Sequence, residues 1–127
     1  MRAVDTNVLV RLLVADHPAQ LRAAEEFIGK GAWVSHVVLA ETLWVLAASY
    51  GRTAQQIAFS VERLLLQSEL TLQDVEVVGA ALARFRVTPR VEFSDCLILE
   101  IAGKAGHLPL GTFDRRLAKL DGAQHIS

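Results

Sequence analysis

Apolar residues recur at helical spacing through most of this chain, and short apolar runs bounded by glycine or polar breaks separate the periodic stretches. Residues 2–4 read as a short buried strand, after which Thr6 is placed to cap a helix carrying Val8, Leu9, Leu12 and Leu13 on one side. Asp16-His17-Pro18 is a break with Asp16 as the expected cap, followed by Leu21, Ala24, Phe27 and Ile28 on one helical face. Gly29 and Gly31 end that helix, residues 32–34 read as a second strand, and Ser35 opens a third helix. That helix, residues 36–50, is apolar on nearly every side, and Glu41 is its one charged residue. Glu41 shares a face with Val37, Ala40, Trp44, Val45 and Ala48, which the pattern assigns to the core. A carboxylate among core residues needs either a basic partner or a cation.

Further along, Thr53 caps a helix with Ile57, Val61, Leu64 and Leu65 on its apolar face, and residues 69–72 read as a strand. Asp74 starts a helix bearing Val77, Val78, Ala81, Leu82 and Phe85, closed at Thr88-Pro89. Ser94 is the expected cap of the next helix, with Asp95 in its first turn and Leu97, Ile98, Ile101 and Ala102 as its apolar side. Residues 108–110 read as a strand that Thr112-Phe113-Asp114 ends before a helical segment over 115–120, and residues 123–126 form a final edge strand. Alternating strands and helices predict an α/β protein, with the strands parallel and their carboxyl ends on one edge of the sheet.

The size fits one domain with a hydrophobic core: 127 residues, 52% hydrophobic and 21% charged. No apolar run approaches the roughly 20 residues of a membrane span, and the start lacks the regions of a signal peptide, so a cytoplasmic protein is expected. Cys96 stands alone and reads as a small buried hydrophobe. The net charge of -1 is unlike that of a typical nucleic-acid binder, although ten of the thirteen basic residues are Arg, the better fork for phosphate. Arg84, Arg86 and Arg90 form one basic group and Arg115, Arg116 and Lys119 another; each is either a phosphate-binding patch or a solvated helix face.

The candidate chemistry lies in four carboxylates. Asp5 and Asp114 follow short apolar strands, and Glu41 and Asp95 lie on helices that begin at breaks in the chain. Asp5 could equally close an Asx turn, and Asp95 could simply complement a helix dipole. If all four converge at one sheet edge, their mutual repulsion calls for a hard cation, and an all-oxygen donor set suits magnesium or manganese rather than zinc. A cation there would handle phosphate esters.

The segments DTNVLVRLL, LAETLW, EFSDCLI and GTFDRRL, in that order across nearly the whole chain, resemble the PIN-domain ribonucleases, especially the VapC toxins of bacterial toxin–antitoxin pairs. The resemblance implies a three-layer α/β/α domain with a central parallel sheet of about five strands and a metal-dependent endoribonuclease activity. It carries onto Asp5, Glu41, Asp95 and Asp114 as the catalytic acids, with Asp5, Asp95 and Asp114 on the metal and Asn7 and Thr112 in support. A cognate antitoxin and a homodimer are implied as partners. Cys96 departs from the small residue that often follows the third Asp, and Glu100 is an additional acid about 140° around the helix from Asp95. An Asp-nucleophile phosphatase would want an acid where Asn7 stands; a PIN-like module that binds RNA or protein without cutting is the alternative of another class.

Overall fold

The computed structural model describes the whole chain, Met1–Ser127, as six α-helices alternating with five short strands. Two compact units divide it, Met1–Val75 and Glu76–Ser127. In the first, β1 (Arg2–Ala3), β2 (Ala32–Val34) and β3 (Leu70–Leu72) form a parallel sheet in the order β1-β2-β3, with Ala3 opposite Trp33 and Val34 opposite Leu72. Parallel neighbours need crossovers, here supplied by α1 (Thr6–Val14) and α2 (Pro18–Ile28) before β2 and by α3 (His36–Tyr50) and α4 (Ala54–Leu66) before β3. Ala32, Val34, Leu70 and Leu72 turn inward while Trp33 and Thr71 turn out, the period of two that a strand imposes. Leu9, Leu39, Leu46 and Val61 are fully buried on the helical side of this core. As the edge strand, β1 is shorter and more exposed than the apolar pattern predicts; buried Val4 extends its ladder by donating to the Trp33 carbonyl at 3.2 Å.

The second unit contains α5 (Val75–Val87) from its second residue onward, α6 (Phe93–Lys104), β4 (Leu110–Thr112), a 3-10 turn (Leu117–Lys119) and β5 (Ala123–His125). β4 and β5 pair in parallel, Leu110 opposite Ala123 and Thr112 opposite His125, as a two-stranded sheet of their own, so the five expected strands are present as a three-stranded and a two-stranded parallel sheet. All five apolar residues assigned to the buried face of α5 are buried. On α6 the buried set is Phe93, Cys96, Leu97 and Leu99, whereas Ile98 and Ile101 are exposed. Phe93 meets Phe85 edge-on, ring centroids 5.8 Å apart.

Several local expectations need correction. Asp5, not Thr6, caps α1; His17 caps α2 through its Nδ1 at 3.2 Å from the Gln20 N–H, and Asp16 pairs with Arg11 at 2.7 Å. Ser94 lies inside α6, whose cap position is Glu92 with no capping side-chain bond. The strand expected at 108–110 begins only at Leu110, and the helix expected over 115–120 is one 3-10 turn.

The largest correction concerns α3. Its buried stripe is Leu39, Thr42, Leu43 and Leu46, and Thr42 satisfies its hydroxyl by donating to the Val38 carbonyl at 2.7 Å. Glu41 is exposed, along with Val37 and Trp44. A helix that is apolar on every side has no contrast from which to read its phase, and the stripe at i, i+3, i+4 and i+7 from Leu39 is the one that packing selected.

Ala15 ends α1 at φ +56°, a left-handed conformation that costs an L-residue about 1–2 kcal/mol. Ala15→Gly relieves this at a cost of roughly 0.4–1 kcal/mol in unfolded-chain entropy. A net gain of about 0.5 kcal/mol is expected as a raised denaturation midpoint with an unchanged slope, and a loss of stability would contradict it.

Candidate active site

Within the first unit, the parallel pairing of β1 and β2 brings the carboxyl ends of both strands to one edge. Asp5 leaves β1 there, and Ser35, the cap of α3, leaves β2. The Asx turn is realised: Asp5 Oδ1 accepts from the Asn7 N–H at 3.1 Å, so Asn7 supports Asp5 through its backbone. Asp5 remains exposed, and its Oδ2 lies outside this bond. Glu41 sits six residues beyond Ser35, roughly 9 Å along a helix that packs directly against α1. No hydrogen bond or ion pair holds its carboxylate, so the basic partner that a buried Glu41 would have required is unnecessary. At the same edge the His36 N–H is capped by Gln73 Oε1 at 2.9 Å, and the His36 Nε2 is buried without a partner.

Within the second unit, Asp95 is half-buried in the first turn of α6. Burial raises its carboxyl above the ordinary carboxylate range, the negative charge of Glu92 raises it further, a backbone hydrogen bond from Glu92 opposes this, and the charge of Asp114 adds to the rise. Asp95 and Asp114 are thus near enough to repel. Asp114 is exposed and held by its own turn: Oδ1 accepts from the N–H groups of Arg116 at 2.8 Å and Leu117 at 3.2 Å, while Thr112 Oγ1 accepts from the Asp114 N–H at 3.0 Å. The turn leaves Asp114 Oδ2 outside these bonds. Glu92 was not singled out in the sequence; its position three residues before Asp95, where the helix begins, is the signal for it. Cys96 is fully buried, and burial first, then the adjacent Asp95 charge, pushes its thiol up to about 11, so it is no nucleophile.

Of the two basic groups, Arg115, Arg116 and Lys119 are exposed around the 3-10 turn beside Asp114. Arg84 is not a surface cation: its Nε donates to Glu100, and its Nη1 donates to the Asp121 carbonyl at 2.9 Å.

No group of three or more His, Cys, Asp or Glu side chains is gathered into a ready-made metal cage. The donors fit a divalent hard cation nonetheless. They are carboxylates, a cation would offset the part of the rise at Asp95 that comes, after burial, from the charges of Glu92 and Asp114, and magnesium usually takes only one or two protein carboxylates while keeping several waters. Parallel strands and crossover helices, with Asp5 and Asp114 in the segments that follow β1 and β4, define an α/β domain with acids at strand ends. The PIN-domain model matches residues 2–123, across both units, and the chain belongs to the PIN-domain family, whose members are mostly metal-dependent ribonucleases. No curated protein and no solved structure matches the chain. No helix is long and apolar enough to cross a membrane.

Proposed function

We propose that the chain is a magnesium- or manganese-dependent endoribonuclease, the toxin of a type II toxin–antitoxin pair, acting in the cytoplasm as a single PIN domain. The observation that carries the reading is the half-buried Asp95 carboxyl, kept above its ordinary range by burial, Glu92 and Asp114 within a chain that matches the PIN model from residue 2 to residue 123. Asp5, Asp95 and Asp114 are the proposed ligands, each able to keep a carboxylate oxygen for the ion; Glu41, exposed and unpaired, completes the acidic set. When bound, the cation polarises a phosphoryl oxygen and favours deprotonation of the attacking water. The chain's own part is to fix the donors: Asn7 holds Asp5 through its N–H, and Thr112 and the amides of Arg116 and Leu117 hold the Asp114 turn. Arg115 and Arg116 are exposed beside that turn, where guanidinium groups suit the RNA backbone.

The proposed partners follow the same reading. Val37 and Trp44, 74% and 62% exposed on α3, are an apolar surface available to a second copy in a homodimer. An antitoxin would block the acids, for which an Arg side chain is suited.

The test is metal removal. Excess EDTA is expected to abolish RNA cleavage, and magnesium or manganese to restore it without zinc. Full cleavage in EDTA would overturn the mechanism. Manganese binding without cleavage of any RNA offered would favour a binding module instead.

A further inference from the structure

Glu100 lies on the same helix as Asp95, five residues on, but faces away from it, and the acidic set does not use it. Its carboxylate accepts from Arg84 Nε, and both side chains are mostly buried, 21% and 31% exposed. Arg84 comes from α5, and its Nη1 reaches the carbonyl of Asp121 at 2.9 Å. Asp121 closes the segment that carries Asp114. From Asp114 the chain runs through the 3-10 turn, with the Ala118 N–H on the Asp114 carbonyl at 3.0 Å and the Leu120 N–H on the Leu117 carbonyl at 3.0 Å. It enters β5 beside β4, where the Leu110 N–H meets the Gly122 carbonyl at 2.8 Å. Gly122 lies at φ +95°, and a Cβ there would meet the Leu99 and Leu108 side chains at 3.4 Å, so the far end of the segment packs close to Leu99 of α6. The helix bearing Asp95 and the turn bearing Asp114 are therefore joined by a side-chain strut, Glu100 to Arg84 to the Asp121 carbonyl. α5 and α6 do not depend on it alone, because Lys104 and Glu76 also pair between them at 3.7 Å.

We infer that Glu100 and Arg84 are positioning residues, which hold the Asp114 turn at the distance from Asp95 that a divalent cation needs. The inference rests on the metal-site reading above. Arg84 suits the task because its planar fork serves two acceptors in fixed directions, whereas a lysine would keep the charge and the ion pair but could not brace both.

Manganese binding to the full chain, followed by the electron paramagnetic resonance signal of the free ion, tests it with Arg84→Lys, Glu100→Ala and Asp114→Asn as variants. Arg84→Lys changes no charge, so any effect it has on the ion is geometric. Removing groups that orient metal ligands typically weakens the metal by about 10–100-fold. A rise of that size in the manganese half-saturation is expected for Arg84→Lys and Glu100→Ala. Hydrogen exchange should quicken at the amides of Leu110 and Ala123 and stay unchanged in β1–β3. Wild-type half-saturation in a folded Arg84→Lys would overturn the inference, leaving a plain stabilising ion pair. If Glu100→Ala fails to fold, Arg84→Lys alone decides. Asp114→Asn separates the two levels: weakened binding there with none in Arg84→Lys removes only the strut, whereas unchanged binding in Asp114→Asn removes the metal site and the strut with it.

Discussion

Asp95→Asn is expected to lower RNA cleavage by roughly 10²–10³-fold while leaving the metal-free protein as stable as wild type or more so at neutral pH. The first part follows from the several kcal/mol that a correctly held cation contributes to a phosphoryl transition state, each 1.36 kcal/mol being about tenfold in rate. The second follows from the carboxyl's environment. Burial, Glu92 and Asp114 hold it above the ordinary range, so between that range and its raised value the folded chain binds more protons than the unfolded one. Stability therefore falls as pH rises through this window and stays lower above it. Asn keeps the shape and an acceptor for the Glu92 backbone but carries no charge, so its advantage is present at neutral pH and disappears below the ordinary carboxylate range. A gain of roughly 0.5–2 kcal/mol is the usual size when a group retained for function is removed. Denaturant melts in EDTA at pH 3 and pH 7, paired with a cleavage assay in manganese, measure both parts. A variant that cleaves at the wild-type rate would remove Asp95 from the site.

Glu41→Gln should reduce cleavage comparably and change stability by no more than about 0.5 kcal/mol, the range of surface substitutions. A Glu41 buried among core residues would give a different result. Were it half of an internal ion pair, its loss would strand a basic group and cost on the order of 3 kcal/mol. The α3 helix exposes Glu41 with no partner, so the structural cost vanishes and any loss of activity reports on its role toward metal and RNA. A stable variant with full activity would exclude Glu41 from the acidic set; a strongly destabilised one would mean that its carboxylate has a partner after all.

The sequence by itself determined the alternation of strands and helices, the parallel pairing, and the breaks after which Asp5, Asp95 and Asp114 stand. These rest on local periodicity and on glycine, proline and small polar residues, whose backbone preferences act over a few residues. The buried stripe of α5 was legible for the same reason, since Val77, Val78, Ala81, Leu82 and Phe85 stand out against polar neighbours. Tertiary structure decided what depends on distant neighbours. Which side of α3 is buried could not be read from a helix without polar contrast. The choice of Asp5 over Thr6 and of His17 over Asp16 as caps turned on which side chain the turn aimed at the free N–H groups. Glu100 showed its use only once Arg84, sixteen residues earlier, and the Asp121 carbonyl were folded against it, because a strut between two elements leaves no periodic mark on either.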